Sequence, residues 1–395
     1  PSRCNHAAAP AVAGATSAKS AGSRSFAVDT LGNATVDAGG AAIAGASIHA
    51  GTLGIRAGNY IDLNQSVLEV GSYSYLTSTG SGVGINTDST INIGGNISVA
   101  SSADVSLRSN AGAINQTAGT ITGRQLYLQA AGSIVQDAGA VIHGTGVTAA
   151  STTVQAGDDL ILAGANRLSD YGDVFLGWGS GSDVTYRSAY SLFFNGGATP
   201  IGALTLVSDQ GDIQQGNIAF TANSFSASAT GHIDIGTAAD NSIARLGNIT
   251  SSMGEVRLRV GTNNPLAIDG TISSTSRVIF TARGAVSGSG KFSTPGLYLG
   301  LIEGGTINVA GSTNLLQLGV SNADATVRAD DSLALGGALA GNGHKLTLIA
   351  GTGSITQTGG SFIGMGTLSA TAAGDISLTA ANSFSDVEGI STGGG

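Results

Sequence analysis

The feature that most limits how this chain can fold is repetition at a spacing of about twenty residues. The segment Gly112-Ala113-Ile114-Asn115-Gln116-Thr117-Ala118-Gly119 returns as Gly132-Ser133-Ile134-Val135-Gln136-Asp137-Ala138-Gly139, and again as Gly353-Ser354-Ile355-Thr356-Gln357-Thr358-Gly359-Gly360. Its sequel returns too. Ala156-Gly157-Asp158 through Ala165-Asn166 to Ser169-Asp170 matches Ala373-Gly374-Asp375 through Ala381-Asn382 to Ser385-Asp386. A weaker copy runs from Gly231 through Ala239-Asp240-Asn241 to Leu246-Gly247. Among these lie short apolar-x-apolar stretches such as Val105-Ser106-Leu107, Leu126-Tyr127-Leu128, Val256-Arg257-Leu258 and Leu297-Tyr298-Leu299. Alternation of this kind marks strands with one dry face and one wet face.

A twenty-residue unit holds roughly three short strands and their turns, too little to bury a face alone. Stacking each unit on the next pairs every strand with its copies and closes an apolar interior. The repeat therefore predicts an all-β, right-handed parallel β-helix, or β-solenoid. At about 4.8 Å per coil and roughly 17 coils, its length would be on the order of 80 Å. Gly and Asn suit the corners because they tolerate positive φ. A leucine-rich-repeat solenoid would need an L-x-x-L-x-L-x-x-N frame that does not align, and a propeller would need longer blades with His or Trp-Asp marks. Residues 1–25 read as a flexible Ala/Ser-rich leader. Residues 26–395 read as a single shaft, with an aromatic-rich insertion near 171–194.

Composition supports a solenoid and excludes several function classes. Gly contributes 63 residues, charged residues only 10%, and hydrophobic residues 41%. Disorder calls for low hydrophobicity and high net charge, and collagen for Gly at every third position; neither holds here. The net charge is −9 without a basic stripe, which argues against nucleic acid as a partner. No uncharged apolar run approaches the roughly 20 residues needed to span a bilayer. The single cysteine, Cys4, cannot form an internal disulfide. The chain starts at Pro1 and reads as a mature or excised portion of something larger.

The G-x-I-x-Q-x-x-G units followed by A-G-D-x-x-L-x-x-A-N resemble those of the filamentous haemagglutinin group of two-partner secretion exoproteins, over about residues 105–390. The resemblance implies secretion through a dedicated outer-membrane partner, then adhesion, biofilm formation or display of a distal domain. The N-P-N-type motifs of the family's secretion domain are missing, and Asn264-Pro265 is only a partial echo.

Candidate chemistry is sparse. Asp follows Gly at Asp158, Asp173, Asp212 and Asp375. A Ca²⁺ ladder or a carboxylate pair for glycan cleavage would use such residues. A turn aspartate bonding its own backbone is the simpler expectation. His6, His49, His143, His232 and His344 show no metal spacing. With only Lys19, Lys291 and Lys345, the chain is poorly supplied for a lyase-type groove. The sequence thus points to no cofactor or metal and to a non-enzymatic role, with a glycan-active β-helix enzyme as the less favoured reading. One segment departs from the pattern: residues 171–194 hold seven of the 19 aromatics, including the only tryptophan. Phe175 and Phe193 lie in strand-like runs and are expected in the core. Trp178, Tyr186, Arg187 and Tyr190 form the candidate binding patch, since exposed aromatics beside polar groups suit stacking on sugar rings or a protein contact. The expected partners are host or matrix glycans or proteins, with self-association into fibres as the alternative.

Overall fold

The computed structural model describes residues 16–19, 27–37, 43–44, 47–64, 67–145, 152–168, 174–195, 197–236, 240–311 and 313–393. Among them there is no helix, and parallel strands stack as a β-solenoid of about 16 turns. The chain divides into two compact units, Pro1–Ser188 and Ala189–Gly395. The division falls within the aromatic-rich segment, where the sequence suggested an unbroken shaft. Of the expected leader, Thr16–Lys19 is a strand that pairs in parallel with residues 34–37. The rest of residues 1–25 lies outside the described residues.

In the first unit, each central turn adds one strand to a seven-stranded sheet and two short strands to a second sheet. Val105–Ser109 is followed by Ile114–Gln116 and Thr120–Gly123, and Leu126–Ala130 then returns to the first sheet. Leu126–Ala130 pairs with Val105–Ser109 on one side and Thr152–Ala156 on the other. The register places Leu128 on Leu107 and Val154, all three buried. Each such residue removes apolar area from water and gains roughly 2 kcal/mol. A register slip of one residue would turn the whole column outward, so burial fixes the stacking.

The second unit follows the same rule around an eleven-stranded sheet, in the order Val256–Val260, Leu266–Ile268, Thr271–Ser274, Arg277–Ala282. Its core is larger-grained. Phe194 meets Phe220 edge-on at 5.7 Å, Phe220 meets Phe225 at 5.9 Å, and Phe280 meets Phe292 at 5.3 Å between ring centroids.

The repeated Gln and Asn of the motif face inward and hold one another. Asn166 Nδ2 donates to Gln136 Oε1 and Gln136 Nε2 donates to Asn166 Oδ1, both at 2.8 Å. The same two oxygens accept backbone N–H groups of Gly164 (2.9 Å) and Ile142 (2.8 Å). Gln116, one turn earlier, accepts a further bond from Gln136 Nε2 and donates to the carbonyls of Gly119 and Val141. The arrangement recurs in the second unit. Gln215 and Asn241 exchange bonds of 2.7 and 2.6 Å and accept the N–H groups of Gly236 and Phe220. Gln357 and Asn382 exchange two bonds of 3.0 Å and accept those of Ala380 and Phe362. Each amide pair satisfies backbone groups at a corner where the ladder is interrupted, which keeps a buried turn free of orphaned polar atoms. Gln215 was not apparent as a repeat member, because Gly211-Asp212-Ile213-Gln214-Gln215 lacks the closing Gly of the other copies.

In two of the three copies, though not at Gly139, the closing glycine has its own cause. Gly119 and Gly360 have φ of 77° and 66°. A Cβ there would sit 2.3 Å from Gly95 and 2.0 Å from Gly337, in the backbone of the preceding turn. Of the aspartates expected to close local turns, Asp212 bonds differently, and three others share its pattern. Asp104, Asp159, Asp212 and Asp324 accept the N–H of Gln125, Asp183, His232 and Lys345, one turn later. These carboxylates tie turn to turn instead of closing a local loop. Asp173 lies outside the described residues.

Candidate functional site

The aromatic-rich segment is distributed over several surfaces. Residues 171–173, Tyr171 among them, lie outside the described part. Val174–Gly177 is the last strand of the seven-stranded sheet and pairs with Thr152–Ala156. Phe175 stands outward over Thr153 and is 57% exposed. Phe193 is 58% exposed, because Leu192 and Phe194 take the inward positions of their strand. Both phenylalanines were expected in the core. In a three-residue run of apolar side chains, alternation sends the middle one out, and pairing with Ile213–Gln215 decides which one that is.

Tyr186 departs furthest from the expected patch. It lies inward in Val184–Ser188, in register with Leu162, and is buried. Burial pushes its phenol well above the ordinary tyrosine range, with Ser188 opposing through a hydrogen bond. A ring sealed in the core cannot stack on a sugar, so Tyr186 is a core residue. Arg187, its neighbour in that strand, is outward and partly exposed. Trp178, just beyond Val174–Gly177, is also partly exposed. Tyr190 belongs to the second unit, is 48% exposed, and gives its carbonyl to Ser208 Oγ at 2.8 Å. Of the four expected members, Tyr186 is thus removed from any exposed patch.

A different set does converge. On the outward face of the seven-stranded sheet, Ser106, Tyr127, Thr153 and Phe175 occupy one column on four successive turns. Arg108, Gln129, Gln155 and Gly177 form the next column. Tyr127 is 40% exposed and donates to Gln129 Oε1 at 2.8 Å. Two turns separate Tyr127 from Phe175, or about 10 Å. The face thus offers two aromatic rings flanking a threonine, with a row of amides alongside. Such a face can cover the apolar side of a sugar or a peptide and bond its hydroxyls or amides. That Tyr127 points outward is legible in Leu126-Tyr127-Leu128. Its alignment with Phe175 depends on the lengths of two intervening turns and is not.

Other chemistry is dispersed. Among the described residues, no three His, Cys, Asp or Glu side chains group so as to hold a metal ion, and no helix is long and apolar enough to cross a membrane. His49 lies 3.7 Å from Glu69, His344 3.9 Å from Asp324, and His232 Nδ1 accepts the Glu255 N–H at 3.1 Å. His6 is outside the described residues. Comparison with protein-family models, curated proteins and solved structures gives no match.

Proposed function

We propose that the chain is a structural and adhesive shaft segment of a secreted bacterial surface protein of the filamentous haemagglutinin-like kind. In this reading it is non-enzymatic and meets host or matrix glycans or proteins in cell adhesion or biofilm contacts. Export uses an outer-membrane partner, as the repeat resemblance implies. The observation that supports adhesion best is the Tyr127–Thr153–Phe175 column: exposed rings at a fixed spacing on a rigid sheet, where apolar exposure contributes little to the fold. Screening the full chain on a glycan array and on matrix-coated plates tests it. Binding should fall at least tenfold in Tyr127→Ala/Phe175→Ala with the circular dichroism spectrum unchanged. Undiminished binding by that variant would remove the column from the proposal.

A second reading, a self-assembling subunit of an extracellular fibre, draws on the last strand. Phe384–Thr392 pairs with Met365–Ala372. It sets Val387 (47% exposed) and Ile390 (53% exposed) over buried Leu368 and Ala370. Exposed aliphatics side by side on a strand favour association. In this reading, sedimentation of the protein rises with concentration, and Val387→Lys/Ile390→Lys abolishes that rise.

A further inference from the structure

The outward face of the eleven-stranded sheet holds an arrangement that neither the repeat nor adhesion through aromatics explains. Arg257 and Arg259 lie on one turn, Arg277 and Arg283 on the next. Their partners are shared. Glu255 accepts Arg257 Nη2 and Arg277 Nε, each at 2.6 Å, while Asp240 lies 3.0 Å from Arg259 and 3.5 Å from Arg283. Asp234 is 3.5 Å from Arg257 Nη1. Arg277 also interacts with the Tyr298 hydroxyl. Every one of these carboxylates sits on the same turn as its arginine or an earlier one. On the later side the face is uncharged, with Tyr298 and Gly300 on one turn and Gln317 and Gly319 on the next. The nearest later acid, Glu303, accepts from Asn322 at 3.1 Å. The four guanidinium groups thus border a neutral strip.

The glycines of that strip are a separate observation. Gly300 and Gly319 stack in register in mid-strand, just past Thr281. Neither has a positive φ. A Cβ at Gly300 would meet nothing closer than 3.5 Å, and one at Gly319 nothing closer than 4.0 Å. Contrast Gly337, whose Cβ would fall 1.6 Å from the Leu316 carbonyl oxygen. Neither turn geometry nor crowding calls for glycine at 300 or 319, and mid-strand glycine weakens a sheet. Its remaining use is to let a ligand come close to the backbone.

We propose that this strip binds a linear polysaccharide bearing carboxylate groups. A sugar ring lies flat on the Gly300–Gly319 floor beside Tyr298, and its carboxylate meets N–H donors of Arg259 and Arg283 other than those that face Asp240. A planar carboxylate can bridge two guanidinium groups with one oxygen to each, as Glu255 does with Arg257 and Arg277. The stacked turns, about 4.8 Å apart, continue the floor in the direction a polymer would run. The inference goes beyond adhesion through the Tyr127 column and stands on different residues in the other unit.

Titration calorimetry of the full chain with oligogalacturonate, dextran and dextran sulfate tests it. Oligogalacturonate should bind, dextran should not, and dextran sulfate should bind at least tenfold more weakly. Arg259→Gln/Arg283→Gln should lower oligogalacturonate affinity at least tenfold. Gly300→Val should do the same while melting at or above the wild-type temperature, since a Cβ there meets nothing closer than 3.5 Å and β-branched residues favour strands. Three results would overturn the proposal: no binding of oligogalacturonate, equal binding of the two anionic polymers, or wild-type affinity in Gly300→Val.

Discussion

The seven-stranded sheet of the first unit and the eleven-stranded sheet of the second are built from the same interior and carry opposite exteriors. Inside, both sheets stack Val, Ile and Leu in register, and each unit closes a corner with a reciprocal Gln–Asn pair, Gln136–Asn166 in the first unit and Gln215–Asn241 in the second. Outside, the first presents Tyr127, Thr153, Phe175 and a row of amides. The second presents Arg257, Arg259, Arg277 and Arg283 interleaved with carboxylates, then a glycine floor. In a parallel stack, inward positions must agree with their neighbours above and below, because each is half of a packing contact. Outward positions meet solvent and are free to differ. The interior is therefore where the repeat is kept, and the exterior is where two units of one architecture diverge in what they can bind.

The largest effects should come from breaking the shared interior. Ile134→Asp places an unpaired charge at a buried position and should cost roughly 4 kcal/mol or more. Leu378→Asp, in the half-open last turn, should cost about 1 kcal/mol. Urea midpoints followed by circular dichroism decide this, and equal shifts would mean that position in the stack does not matter. Next comes the amide pair. Asn241→Leu removes one of two partners from each polar atom of the Gln215 amide and leaves the Phe220 N–H unsatisfied, at about 3 kcal/mol. The corresponding Asn382→Leu, in a part-buried corner, should cost about half as much by the same measurement.

The exterior predictions are smaller and separate the two sheets. Burial of Glu255 pushes its carboxyl up, but the Arg277 bond and the charges of Arg257, Arg277 and His232 outweigh it and hold the carboxyl below the usual glutamate range. A lowered carboxyl contributes stability above the unfolded-state value, about 4.3, and loses it as pH falls through the folded value. Melting temperature should therefore drop as pH falls below about 4.3 in the wild type, and less steeply in Glu255→Gln. An identical acid limb in the variant would show that the arginines leave Glu255 unaffected. The smallest effect belongs to the aromatic column. Tyr127→Ala and Phe175→Ala should each change stability by less than about 1 kcal/mol in urea titrations, whatever they do to binding.

Much of this was legible before any coordinates. Leu126-Tyr127-Leu128 shows which residue is buried, and a twenty-residue unit too small to bury a face implies stacking. The recurrence of Gln116, Gln136 and Gln357 with Asn166 and Asn382 marked those residues as special without saying why. The amides of Gln and Asn meet across 25 to 30 residues of chain, a contact that depends on how the corners fold. The binding patch was the least legible part. Tyr186 closes the alternating stretch Val184-Thr185-Tyr186 and lies inward, whereas Phe175 is the middle of the unbroken apolar run Val174-Phe175-Leu176, where only strand pairing decides that it points outward.

The spacing of small and aliphatic residues by itself fixed the class of fold, because only stacked parallel turns bury short alternating stretches that recur every twenty or so residues. Where turns differ in length, the tertiary structure alone decided which outward side chains share a column. A turn two residues longer or shorter keeps the same residues inside, yet shifts which ones stand above one another outside. That brings Phe175 beside Tyr127 across two turns, and Gly300 beside Gly319 next to the arginines.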